Sequence, residues 1–267
     1  MAVKLLSLNV NGLNSPFKRR CAWKEASNHN AEIVKMRRTI LTLLCLWSCI
    51  LQVTPLTEEH VGRATHYFDQ QIFRNQWAQY AYFVKFTGEE CSGGLQLNVL
   101  QQVMGNINVA DVLRTVRSGE IYEGTRMVAA APKDIVLPNG NVGTEHSEFR
   151  LLNPDNNSPI SRLLASAPAA GCVIFYSLNS PCVNTCTAPY GRYNIIDKLN
   201  RHHLPNNIQD KAFSFRNVFR YDQDRDAEIV WRNWNNLNNV MNLYRCPGNN
   251  CMKCVVNGVR NNNCFNS

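Results

Sequence analysis

The run "GCVIFYSL" at residues 171–178 constrains the fold of this chain more than any other stretch. Its apolar residues do not alternate with polar ones, so a strand here must be covered on both faces. The rest of the chain supplies the cover. Val61, Thr65, Phe68 and Ile72 recur at helical spacing within 58–78. "AQYAYFVKFT" (78–87) is aromatic and β-branched and ends at Gly88, as a strand does. Residues 95–104 and 109–119 read as helices, the second opened by Asn108 as N-cap and stopped by Gly119. "TRMVAAAPK" (125–133) is a strand ended by Pro132, "NGNVGT" (139–144) a loop, and "EHSEFRLLN" (145–153) a short helix stopped by Pro154. "KAFSFRNVF" (211–219) is a further strand. A long helix opening at Asp224 or Asp226 then carries Val230, Trp234, Leu237, Met241 and Tyr244 on one face. Such alternation implies α/β architecture, with a mixed central sheet of about five strands flanked by helices. No linker or repeat interrupts 58–245, so 55–245 reads as one domain and 246–267 as a Cys- and Asn-rich tail without periodicity.

The formal charge of +8 is unevenly spread. Residues 1–54 carry eight Lys/Arg against two Asp/Glu, a net of +6, and residues 55–267 a net of +2. The break follows "MRRTILTLLCLWSCILQVTP" (36–55), where two arginines precede a 12-residue apolar run, the pattern of a secretory signal. The run is shorter than the roughly 20 residues of a membrane span; a buried core helix is the other reading. We therefore expect a leader (1–35), a signal peptide (36–54) and a secreted mature chain. Within the leader, residues 3–20, with "NVNGLN", resemble the opening strand and turn of LINE-type retrotransposon endonucleases. That resemblance implies a fused fragment ahead of a start at Met36; an ordinary leader is the alternative.

Beyond the signal, eight cysteines remain: Cys91, Cys172, Cys182, Cys186, Cys246, Cys251, Cys254 and Cys264. An even number in a secreted chain reads as disulfides, and removing two as metal ligands still leaves an even number. Two short segments could bear the metal. "HSE" (146–148) opens one expected helix. "SPCVNTC" (180–186) opens another, with Ser180 as N-cap and Pro181 in its first turn. Cys182 and Cys186, four apart, share a helix face. One imidazole and two thiolates leave a fourth zinc position open, as a catalytic site requires, and positive helix ends would favour thiolates. Glu148, two residues beyond His146, would be free to handle protons. Against this stand a disulfide at Cys182 and Cys186, a plain surface role for His146 and a capping role for Glu148. The four tail cysteines could hold a second zinc, but disulfides suit their spacing better.

The pattern H-x-E…P-C-x-x-C is the signature of zinc nucleobase deaminases, and "HSE" followed after 32 residues by "PCVNTC" resembles the AID/APOBEC branch of that superfamily. The signal and Cys-rich tail point to the secreted AID/APOBEC-like deaminases of fish. The resemblance implies a cytidine-deaminase-like three-layer fold, one Zn2+ per chain on His146, Cys182 and Cys186, and Glu148 as proton carrier. The implied reaction is the conversion of cytosine to uracil in single-stranded DNA or RNA, with a free cytosine nucleoside as alternative. It further suggests Asn141 as a sugar contact and Tyr221 and Asp222, in "FRYDQD" (219–224), as contacts to a neighbouring base. Three departures stand out. Three residues rather than two separate the cysteines. Asn179 occupies the place of a Trp that edges the base in relatives. Pro189 and Gly191 interrupt the helix after Cys186. Asn179 thus also raises the alternative of an inactive secreted binding protein on this scaffold. For a polynucleotide ligand, Arg192, Arg201, Arg216, Arg220 and Arg225 are the candidate basic stripe. Asn156-Asn157-Ser158 is a glycosylation sequon weakened by Pro159.

Overall fold

Seven strands make the central sheet of the computed structural model, which describes residues 55–74, 78–200, 204–205, 208 and 210–266. The expected leader and signal, the retrotransposon-like stretch and Arg201 lie outside the described residues. In chain order the elements are α1 (Glu58–Phe68), prolonged by a π-helical turn (Asp69–Phe73), β1 (Ala81–Phe86), α2 (Gly88–Ser92), α3 (Leu97–Gly105) and α4 (Val109–Arg117). There follow β2 (Tyr122–Glu123), β3 (Met127–Ala130), β4 (Lys133–Val136), β5 (Val142–Glu145), α5 (Ser147–Leu151), α6 (Pro159–Ala165) and β6 (Cys172–Asn179). The remainder is α7 (Ile195–Lys198), β7 (Asp210–Asn217), α8 (Arg220–Gln223), α9 (Ala227–Asn238), β8 (Asn242–Arg245), β9 (Met252–Lys253), β10 (Val255–Val256) and β11 (Val259–Arg260). The sheet order is β2-β3-β1-β6-β7-β8-β9, with β6, β7 and β8 mutually parallel and the other pairs antiparallel.

The apolar run at 171–178 is the middle strand, β6, and both its faces are covered. Cys172, Ile174 and Tyr176 pack with α1, α3 and α4 on one side. Val173 and Phe175 pack with α5, α6, α7 and α9 on the other. Parity thus assigns every odd-numbered residue of β6, including Ser177 and Asn179, to the face that bears α5. Caps hold the helices as their sequences suggest. Asn108 accepts from the Asp111 amide at 3.1 Å, Asp226 from that of Glu228 at 2.8 Å, and Gly119 ends its helix at φ +76°. Lys85, buried on β1, closes α6 instead: its ammonium donates to the carbonyls of Leu163 (2.7 Å) and Ser166 (2.6 Å).

The structure departs from the sequence reading where a short signal was overlooked. The loop at 139–144 is largely a hairpin, with Val142–Glu145 paired to Lys133–Val136. Tyr244 is not on the stripe of the long helix. That helix stops at Asn238, whose side-chain Oδ1 accepts from the Leu243 amide at 3.0 Å, and Tyr244 lies on β8 facing the opposite layer. β8 and β9, with β2 at the far edge, bring the sheet beyond the five strands expected. The tail contributes β9 and a hairpin, β10–β11, turned by Asn257 (φ 51°) and Gly258 (φ 76°). "NG" between apolar residues is a strong two-residue hairpin signal. The sequon serves as a helix start: buried Ser158 accepts from the Ser161 amide at 3.1 Å, with Pro159 following it in the first turn.

Among the described residues six cysteines form disulfides: Cys91–Cys172 from α2 to β6, and Cys246–Cys251 and Cys254–Cys264 within the tail. Cys182 and Cys186 stay reduced and buried.

Candidate metal centre

His146 is the N-cap of α5 and follows β5 of the two-stranded hairpin directly. Its ring lies 5.2 Å from that of Tyr193, which also packs on Phe149. The two cysteines follow β6, but they do not open a helix. They close a single turn in which the Cys186 and Thr187 amides both donate to the Cys182 carbonyl at 3.1 Å. The carbonyls that would continue a helix are taken by the returning chain, Thr185 by the Tyr193 amide (3.1 Å) and Cys186 by the Ile195 amide (2.9 Å). Gly191 permits this, since a Cβ there would stand 2.4 Å from the Thr185 oxygen. The cysteine turn therefore offers the sulfurs no helix dipole of its own.

The three side chains converge nevertheless. His146 Nδ1 is 2.9 Å from Cys186 Sγ and 3.7 Å from Cys182 Sγ, and the sulfurs are 3.2 Å apart. Tetrahedral zinc with bonds of about 2.3 Å to sulfur and about 2.0 Å to nitrogen needs separations of roughly 3.5–3.8 Å. The residues fit such an ion after small outward movements, and His146, Cys182 and Cys186 are the only group of this kind among the described residues. The sulfurs share a proton unequally. The Cys186 thiol and the neighbouring His146 and Thr185 groups, against burial, pull the Cys182 pKa far down; Cys182 and burial push that of Cys186 up. Burial alone would lower His146, but its bond to Cys182 and the nearby negative charge raise it. Loading a cation would displace the remaining protons.

Glu148 lies in the first turn of α5, 3% exposed. One carboxylate oxygen accepts from the Ser177 hydroxyl and, at 3.3 Å, from the Gln79 amide; the other accepts from Ser147 at 3.1 Å. Burial holds its pKa above the usual carboxylate range although the Ser177 bond opposes this. His146, Glu148, Cys182 and Cys186 all line one cavity of about 630 Å3, with Asn179, Asn217 and Tyr221 on its wall. That size suits a small polar ligand or a single nucleotide.

Two of the suggested substrate contacts lie elsewhere. Asn141 is at the bend of the β4–β5 hairpin, its amide bonded to Asn139 Oδ1 at 3.1 Å; the hairpin register brings Thr144 to the cavity in its place. Asp222 is buried and turned inward: it accepts from the Val183 amide at 3.0 Å and pairs with Arg225 at 2.9 Å. It thereby props the turn that carries both cysteines. Burial raises its pKa against the pull of the Val183 amide. Asn179 and Tyr221 do line the cavity, Tyr221 being 61% exposed with the Arg220 guanidinium 4.4 Å above its ring. The proposed basic stripe is partly neutralised, as Arg216 pairs with Asp69 and Arg225 with Asp222. Gln79, Ser177 and Thr185 escaped the sequence reading. No motif marks them, and only strand register brings Gln79 and Ser177 to Glu148.

A family model described as Secreted Novel AID/APOBEC-like Deaminase 1 matches residues 63–267. Neither a curated protein nor a solved structure matches the chain. The matched span contains the His146, Glu148, Cys182 and Cys186 cluster and all three disulfides. Among the described residues no helix is long and apolar enough to cross a membrane.

Proposed function

Starting from the membership of this chain in the family of secreted AID/APOBEC-like deaminases, we propose that it is a secreted, zinc-dependent cytidine deaminase that converts cytosine to uracil in single-stranded nucleic acid. The observation that carries this reading is the buried carboxylate of Glu148 beside a three-ligand cluster on one open cavity. Zinc held by His146 Nδ1, Cys182 and Cys186 would supply a water activated near neutral pH, with a pKa of about 7. The protein's own groups account for the proton traffic. Glu148 takes a proton from the attacking water and delivers it to N3 of cytosine as C4 is attacked. It then takes the proton of the new C4 hydroxyl and passes it to the departing amine, so that cytosine and water give uracil and ammonia. Its raised pKa and its bonds to Ser177 and Gln79 suit a group that must hold and release a proton in turn. Tyr221 at the cavity wall offers a stacking face to a neighbouring base.

The modest charge of residues 55–267 and the paired Arg216 and Arg225 favour a short oligonucleotide or nucleoside as a second substrate class. The test is metal content by mass spectrometry, with uracil and ammonia release from single-stranded DNA, single-stranded RNA, cytidine and deoxycytidine. We expect one zinc per chain and turnover of at least one of these. Glu148→Gln should retain zinc and lose turnover by about 100-fold or more. A wild-type chain with one zinc and no turnover on all four would leave an inactive binding protein as the reading.

A further inference from the structure

We propose that Gln79 is a positioning residue that sets both the Glu148 carboxylate and the cavity wall at Asn179; this rests on the deaminase reading above. Antiparallel pairing of Ala81 with Ser177 carries on to bring residue 79 beside 179, and parallel pairing sets Asn179 against Asn217. Asn179 and Asn217 have odd parity on β6 and β7 and so project onto the face that bears α5; Gln79, two residues ahead of β1, joins them through its side-chain bonds to Asn179 and Ser177, so that the three amides form one row. The directions of their bonds are fixed by chemistry. The Asn179 backbone N–H can only donate, and it reaches Gln79 Oε1 at 3.1 Å, so that atom is the acceptor. The Asn179 side-chain amide donates to the same oxygen at 2.8 Å, which turns its own oxygen toward Asn217 Nδ2 at 3.5 Å. Gln79 Nε2 is thereby aimed at Ser177 Oγ (2.7 Å) and Glu148 Oε1 (3.3 Å). A chain of donors runs Asn217, Asn179, Gln79, Glu148, each polarising the next and ending on the carboxylate. Where an aromatic edge would only bound the cavity, this row binds the wall to the proton carrier.

The test compares three variants by steady-state kinetics on whichever cytosine substrate the wild type turns over. Gln79→Leu removes both links, so kcat should fall by about 10- to 100-fold and KM should rise. Gln79→Glu keeps an acceptor for Asn179 but sets a carboxylate against Glu148, so kcat should fall with KM nearly unchanged. Asn179→Ala keeps the Gln79–Glu148 bond, so KM should rise with most of kcat retained. A merely structural role would lower the melting temperature of all three and leave the constants per folded molecule alike; that pattern, or an unchanged kcat in Gln79→Leu, overturns the proposal. Failure of the deaminase reading is separable, because it appears in the wild type. In that event, crystal structures of the zinc-loaded wild type and Gln79→Leu decide: a displaced Glu148 carboxylate supports positioning, and an unmoved one refutes it.

Discussion

Replacing Asp222 with Ala should weaken metal binding rather than substrate binding. Its carboxylate holds the Val183 amide at 3.0 Å and the Arg225 guanidinium at 2.9 Å, and Val183 lies inside the turn that presents Cys182 and Cys186. Two of the three ligands therefore depend on a turn whose outward amide is satisfied by this one side chain. A hydrogen bond to a charged group is worth about 1.5–3 kcal/mol. If that loss falls on the geometry of the turn, zinc affinity drops by roughly 10- to 100-fold, at 1.4 kcal/mol per decade. The assay is competition for zinc with a chromophoric chelator at pH 7, alongside substrate KM at saturating zinc. Asp222→Asn, which keeps an acceptor for Val183 but not the charge for Arg225, should fall between wild type and Ala. Unchanged zinc affinity with a raised KM would refute this reasoning and return Asp222 to the substrate.

Cys186→Ser and His146→Ala should each abolish stoichiometric zinc by mass spectrometry, since each leaves two of the three converging ligands. Removing the Cys91–Cys172 bridge as a double Ala variant should cost about 4–5 kcal/mol in urea unfolding, because it closes a loop with a sequence separation of 81. Tyr221→Ala should raise KM on an oligonucleotide by about 5- to 100-fold, from about 1–3 kcal/mol of lost stacking, with Tyr221→Trp restoring it and KM on free cytidine little altered.

What was legible in the sequence was local. Uninterrupted apolar character marked β6, and Asn108, Gly119 and Asp226 marked helix ends, because each signal lies within a few residues of what it governs; His146, Cys182 and Cys186, 36 or more residues apart across the pair of segments, were joined only by the resemblance of "HSE" and "PCVNTC" to a deaminase signature. The even number of cysteines did not by itself exclude a metal; folding divided them by bringing Cys91 to Cys172 and leaving Cys182 and Cys186 on one turn. Sequence proximity to a loop does not say which way a side chain faces, so only the fold shows Asp222 turned to the Val183 amide and Asn141 at the bend of a hairpin. Pro181 after Ser180 is a true helix-start signal, yet the chain at Cys182–Cys186 makes only a single turn. Tertiary bonds from Tyr193 and Ile195 then claimed the carbonyls a helix needs. The row of Gln79, Asn179 and Asn217 exists only through pairing between strands about 100 residues apart in the case of 79 and 179. A one-residue slip in register would turn that row to the other face, so only the assembled sheet could place it.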